Sequence, residues 1–87
     1  MEGKTKSGFQ YKIAASAADD MELLENLVAI DKGEITKVPA VLDAILGEEQ
    51  KKALYDHLRG EDGRVSVTRV IQELTEIFQN ADDDSKK

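Results

Sequence analysis

Cysteine is absent from these 87 residues, which excludes a disulfide framework and a thiolate zinc site and fits a reducing cytoplasm. His57 is the single histidine, so neither a zinc cluster nor a histidine-based triad is expected within one chain. No apolar run approaches the roughly 20 residues needed to cross a bilayer. The opening MEGKTKSGFQYKI also lacks the apolar stretch of a signal peptide. Nor is there a lysine/arginine cluster: net charge is −6 and the pI about 4.7. Nucleic-acid binding needs a basic face to release counterions, so neither nucleic acid nor membrane is an expected partner.

What is present is helical periodicity in a chain short enough for one domain. Residues 1–7 are polar and are expected to be disordered. Phe9, Tyr11 and Ile13 alternate with Gln10 and Lys12, the period-2 pattern of a short strand with one buried face. A lone strand must pack on the helices or pair in trans. In the second case Phe9 and Tyr11 become interface anchors.

A first helix is predicted from near Ser16 or Asp19 to about Asp31, with Met21, Leu24, Leu27 and Val28 in one stripe widened by Leu23 and Ile30. Gly33 ends it. Thr36 is the expected cap of a second helix, with Pro39 in its first turn. Val38, Val41, Leu42, Ile45 and Leu46 carry its i, i+3, i+4, i+7, i+8 spacing up to a break at Gly47.

A third helix spans 48–59, with Glu48 and Lys52 spaced as an i,i+4 pair. A fourth starts at Ser66, with Val65 and Val70 as a hydrophobic staple, and continues its stripe through Leu74, Ile77 and Phe78. The acidic tail 80–87 is expected to be disordered. The predicted fold is therefore mainly all-α: a compact four-helix domain over 8–79 with a short N-terminal β-strand.

Chemical signatures fail when their geometry is required. Aligning Gly63 with the glycine of a calcium-binding EF-hand loop puts Leu58, Gly60 and Arg69 at ligand positions, leaving only Asp62 as a side-chain ligand. Glu61 and Asp62 read as turn residues. Gly60-x-x-Gly63 follows a helix, not a strand, so it is no phosphate loop. Glu48/Glu49 and Glu73/Glu76 fall on polar faces without a pocket for acid–base work. The chain is expected to be no enzyme and to need no metal or cofactor.

The residues do carry an ordered set of local motifs. These are Ser7-Gly8-Phe9 before the alternating strand, Asp20-Met21-Glu22-Leu23-Leu24 opening a helix, and Leu46-Gly47-Glu48-Glu49-Gln50. His57-Leu58-Arg59-Gly60-Glu61-Asp62-Gly63-Arg64-Val65 and Glu76-Ile77-Phe78 follow. In that order they resemble the small tail-assembly chaperones of long-tailed phages and prophages of Gram-positive bacteria, over about residues 7–79.

The resemblance implies a protein acting in the cytoplasm of the bacterial host and absent from the mature virion. It implies binding to the tape measure protein, keeping its apolar stripes soluble, and help in recruiting the major tail tube protein. A chaperone for long amphipathic helices offers a groove. The expected protein-binding residues are Phe9, Tyr11, Val41, Ile45, Leu74, Ile77 and Phe78, each of which serves equally well as core. Some of the Phe9, Tyr11, Ile77 and Phe78 surface is expected to be exposed.

The main alternative is a small structural or adaptor protein that self-assembles or bridges virion proteins, with a homo-oligomer among its expected forms. An acidic mimic of nucleic acid would need carboxylates arrayed along one face. The alternation of Glu48, Glu49, Lys51 and Lys52 argues against it.

Overall fold

The computed structural model describes residues 2–85, with side chains at all of these except 15, 18 and 81–85. Two short strands, β1 (Glu2–Lys4) and β2 (Gln10–Lys12), precede three helical runs: α1 (Met21–Asp31), α2 (Val38–Leu58) and α3 (Val67–Ser85). Short 3-10 turns at Ala15–Ala18 and Ile35–Lys37 lead into α1 and α2.

α2 is a pair of helices. Gly47 sits at φ 78°, ψ 167°, a conformation essentially confined to glycine. It breaks the run into an arm before it and an arm after it. The predicted second and third helices are these two arms, so the mainly helical fold read from the sequence is the one observed. Among the described residues half of the buried apolar side chains belong to α2, with Val41, Leu42 and Leu54 at 0% exposure. Strand β2, α1 and α3 pack around it.

Residues 2–7 depart from the expected disorder of 1–7, and Met1 lies outside the described residues. Instead of fraying, Glu2–Lys4 pairs antiparallel with β2, with Glu2 opposite Lys12, Gly3 opposite Tyr11 and Lys4 opposite Gln10. The physical reason lies in α3. Thr5 and Ser7 donate hydroxyl hydrogen bonds to Glu73 Oε1 at 2.8 and 2.7 Å, and the Lys6 amide donates to Glu76 Oε2 at 2.6 Å. Polar residues that look like a solvated terminus are in fact partners for carboxylates on a distant helix.

Phe9, Tyr11 and Ile13 are all buried, so the alternating strand packs within the monomer. Its backbone is also occupied. The Gln50 side-chain amide accepts from the Lys12 N–H and donates to the Lys12 carbonyl, both at 2.7 Å. This blunts an edge on which another chain would otherwise pair.

Helix starts follow local chemistry in two of three cases. Asp20 caps α1, its Oδ1 accepting from the amides of Glu22 and Leu23, and Ser66 Oγ accepts from the Arg69 amide at the start of α3. Thr36 does not cap α2. Lys37 holds that position without a side-chain cap, because the 3-10 turn Ile35–Lys37 and Pro39 already set the entering backbone.

The expected Glu48–Lys52 pair is replaced by Lys51–Asp43 at 2.8 Å, which bridges the Gly47 break. The backbone of α3 is helical to Ser85. The expected disorder of 80–87 therefore concerns residues whose side chains are not described beyond Asn80, and Lys86 and Lys87 lie outside the described residues altogether.

Candidate functional site

Six of the seven side chains expected to line a binding groove are core. Val41 and Ile77 have no exposure, and Phe9, Tyr11, Ile45 and Leu74 are buried with them in one cluster. Phe78 alone is half-buried and packs against the edge of that cluster. The amphipathic stripes of α2 and α3 meet each other and β2, so their apolar faces are consumed in folding.

The open apolar surface is elsewhere. On α1, Leu23 is buried and Leu27 and Ile30 are half-buried, whereas Met21, Leu24 and Val28 are 67%, 51% and 46% exposed. These three lie at i, i+3 and i+7, along one line of the helix. Beside them, α1 and α3 bound a groove of about 390 Å³ formed by Leu27, Ile30, Ile71, Leu74 and Phe78, with Asp31, Thr75 and Gln79 at its rim. Leu24 and Val28 are one turn from Leu27 and Asp31, so the exposed line continues the groove wall. A second apolar hollow of about 410 Å³ lies at the start of α3, between Ile35, Val38, Pro39, Tyr55, Val65, Val67 and Val70. Ile35 and Val67 stand exposed at its edge.

α1 is also acidic. Glu22, Glu25 and Asp31 on the helix and Asp19, Asp20 and Glu34 beside its ends are exposed, with Lys32 the sole cation between 19 and 34. Among the described residues none of these six carboxylates enters an ion pair.

A polar cluster of a serine, a histidine and a glutamate joins the hairpin to α2 and α3. Ser7 Oγ is 3.1 Å from His57 Nε2 and 2.7 Å from Glu73 Oε1. His57 Nε2 is also 3.1 Å from the Ser7 carbonyl oxygen. A carbonyl only accepts, so Nε2 carries a proton and cannot act as base toward Ser7. The Ser7 hydroxyl proton is directed to Glu73, and among the described residues no carboxylate bonds His57.

The roles a hydrolytic triad requires are therefore reversed. Glu73, expected on a polar face, is 6% exposed and serves as the anchor of a clasp. His57 adds a tilted ring contact with Phe9, with centroids 5.8 Å apart.

The glycine-bracketed loop is likewise structural. An antiparallel bridge between Arg59 and Val65 closes it, and Asp62 Oδ1 accepts from the Arg64 amide at 3.0 Å as a turn residue should. No group of acidic or histidine side chains suited to a metal occurs among the described residues, and no helix is long and apolar enough to cross a membrane.

Sequence reasoning missed Met21, Leu24 and Val28 as the exposed face, although a signal for it exists. At 3.6 residues per turn, the six apolar positions of α1, from Ile30 at one edge to Met21 at the other, cover an arc of roughly 180°. A helix at the edge of a small domain buries an arc of about 100°. Comparison with known proteins adds no relative: no family model, curated protein or solved structure matches the chain.

Proposed function

We propose that this chain is an assembly chaperone for a long helical client, the tape measure protein of a phage tail, and that it helps recruit tail tube subunits around it. The reading places its work in the cytoplasm of the bacterial host and leaves it out of the finished virion. The observation that supports it best is the outward face of α1. A small domain with a well-filled core leaves Met21, Leu24 and Val28 in solvent next to an apolar groove, on a helix that carries Glu22, Glu25 and Asp31 and no cation. Contiguous exposed apolar surface of this kind marks a binding face. Surrounding carboxylates keep such a face soluble before a client arrives.

The test is co-expression with the tape measure protein of the same phage, scoring soluble tape measure and its co-purification. Soluble tape measure that elutes with this chain, and aggregates without it, is the expected outcome. Aggregation regardless, with no complex, refutes the chaperone reading. A chain found as a stoichiometric component of purified virions would instead favour the adaptor role.

A further inference from the structure

We infer that the α1 face and the groove beside it take one amphipathic helix of another protein, whose apolar stripe is edged by lysine and arginine. This deepens the chaperone reading and rests on it only for the existence of a helical client. Shape supplies the first argument. Met21 to Val28 spans about 10 Å at 1.5 Å per residue, two helical turns, and Ile71 to Phe78 on the facing wall spans the same length. Between the two lines lies the open groove, floored by buried Leu74. An apolar line with a parallel trough is the surface that receives i, i+3, i+4, i+7 anchors from a helix.

Charge selects the occupant. Glu22, Glu25 and Asp31 flank the exposed line at helical spacing, and none is neutralised by an ion pair among the described residues. Lys4 and Lys6 line a neighbouring hollow that shares Ile71, Thr75 and Gln79 with the groove and also holds Glu76; on the α1 side Lys32 is the sole cation between residues 19 and 34. A second copy docking through α1 sets one row of carboxylates against another. An anionic lipid surface or a nucleic acid meets the same repulsion. A helix with a basic edge alone satisfies both the apolar line and the carboxylates beside it.

The experiment titrates the full chain, isotope-labelled for amide NMR, with three synthetic helical peptides of ~18 residues, long enough to hold some helix alone. One has a leucine stripe edged by lysine, one the same stripe edged by glutamate, and one the lysine composition scrambled so that no stripe forms. The lysine-edged stripe peptide should shift amides of α1 and of α3 between 71 and 79. It should bind at least about tenfold more tightly than either control, since like-charge juxtaposition costs several kcal/mol.

Leu24→Asp and Val28→Asp, both at exposed positions and so compatible with folding, should each lose that binding, whereas Val67→Asp in the other hollow should retain it. Equal affinity for the lysine- and glutamate-edged stripes overturns the proposal. So does equal affinity for the scrambled peptide, which reduces the effect to charge alone. A concentration-dependent dimer broken by Leu24→Asp hands the face to a second copy and also overturns it. If the stripe peptide binds as described while the tape measure protein does not co-purify, the client identity fails and this site stands. Co-purification that survives Leu24→Asp defeats the site and leaves the chaperone reading intact.

Discussion

Gly3→Ala tests whether the N-terminal strand is part of the fold. Gly3 lies opposite Tyr11 in the hairpin register, and a Cβ placed on it meets the Tyr11 hydroxyl oxygen and, at 2.6 Å, the Cζ carbon of the ring. The ring has little freedom to move away. Tyr11 is 6% exposed and its hydroxyl accepts a 3.1 Å hydrogen bond from the Asn80 amide on α3. Forcing a methyl group into a filled site costs about 1–3 kcal/mol. At about 4–8 °C per kcal/mol for a domain of this size, the melting temperature should fall by about 5–20 °C.

The decisive control is Tyr11→Val, which removes both clashing atoms. In that background Gly3→Ala should cost nothing and can gain about 0.4–1 kcal/mol, because alanine restricts the unfolded chain. Circular dichroism melts and urea titrations of the four proteins give the coupling directly. A Gly3→Ala variant as stable as the parent, or an equal loss in both backgrounds, would falsify the packing of Glu2–Lys4 on Tyr11. The terminus would then be frayed, as its composition suggests.

Three further outcomes are expected. Glu73→Ala should lower the urea midpoint by an amount equivalent to about 1.5–3 kcal/mol, because Thr5 and Ser7 lose a shared charged acceptor. Glu73→Gln should cost less, since its amide oxygen still accepts, and equal costs would refute the hydrogen-bond account. Gly47→Ala should destabilise by about 1–3 kcal/mol through backbone strain alone, since nothing lies within 4 Å of the added Cβ. An unchanged melt would mean that α2 is continuous. The hydrogen bond from the Lys51 ammonium to Asp43 raises the Lys51 pKa. A folded value above the unfolded one adds stability that is complete below the usual lysine range and is lost as pH rises through the folded value. Melting temperature should therefore fall more steeply above about pH 10 for the parent than for Lys51→Met, and parallel curves would contradict the sign.

Helix content was legible because periodicity and punctuation agree. The core residues of α2 recur at helical spacing up to Gly47, Asp20 and Ser66 are side chains suited to capping, and Gly47 breaks where it was expected to. The assignment of faces was less legible. Leu74 and Ile77 look as suitable for a groove as for a core, and only the position of α2 against α3 decides between them. On α1 the reverse holds: its apolar arc is too wide to bury, and which part stays outside depends on where α2 runs. The polar clasp was hidden because Thr5, Ser7 and Glu73 are separated by 66 or more residues. Short-range patterns carry no trace of such a pairing.

That separation has a consequence for the order in which the molecule is made. Thr5, Ser7, Lys6 and Tyr11, near the start of the chain, find their partners at Glu73, Glu76 and Asn80, between 66 and 70 residues later. During synthesis α1 and α2 emerge with most of their mutual contacts available, while the hairpin waits for a helix not yet translated. Loop closure over such a span is entropically costly and comes late. A nascent or truncated chain lacking α3 is therefore an open form of the domain, with its hairpin unlatched until α3, made after α1 and α2, supplies Glu73, Glu76 and Asn80.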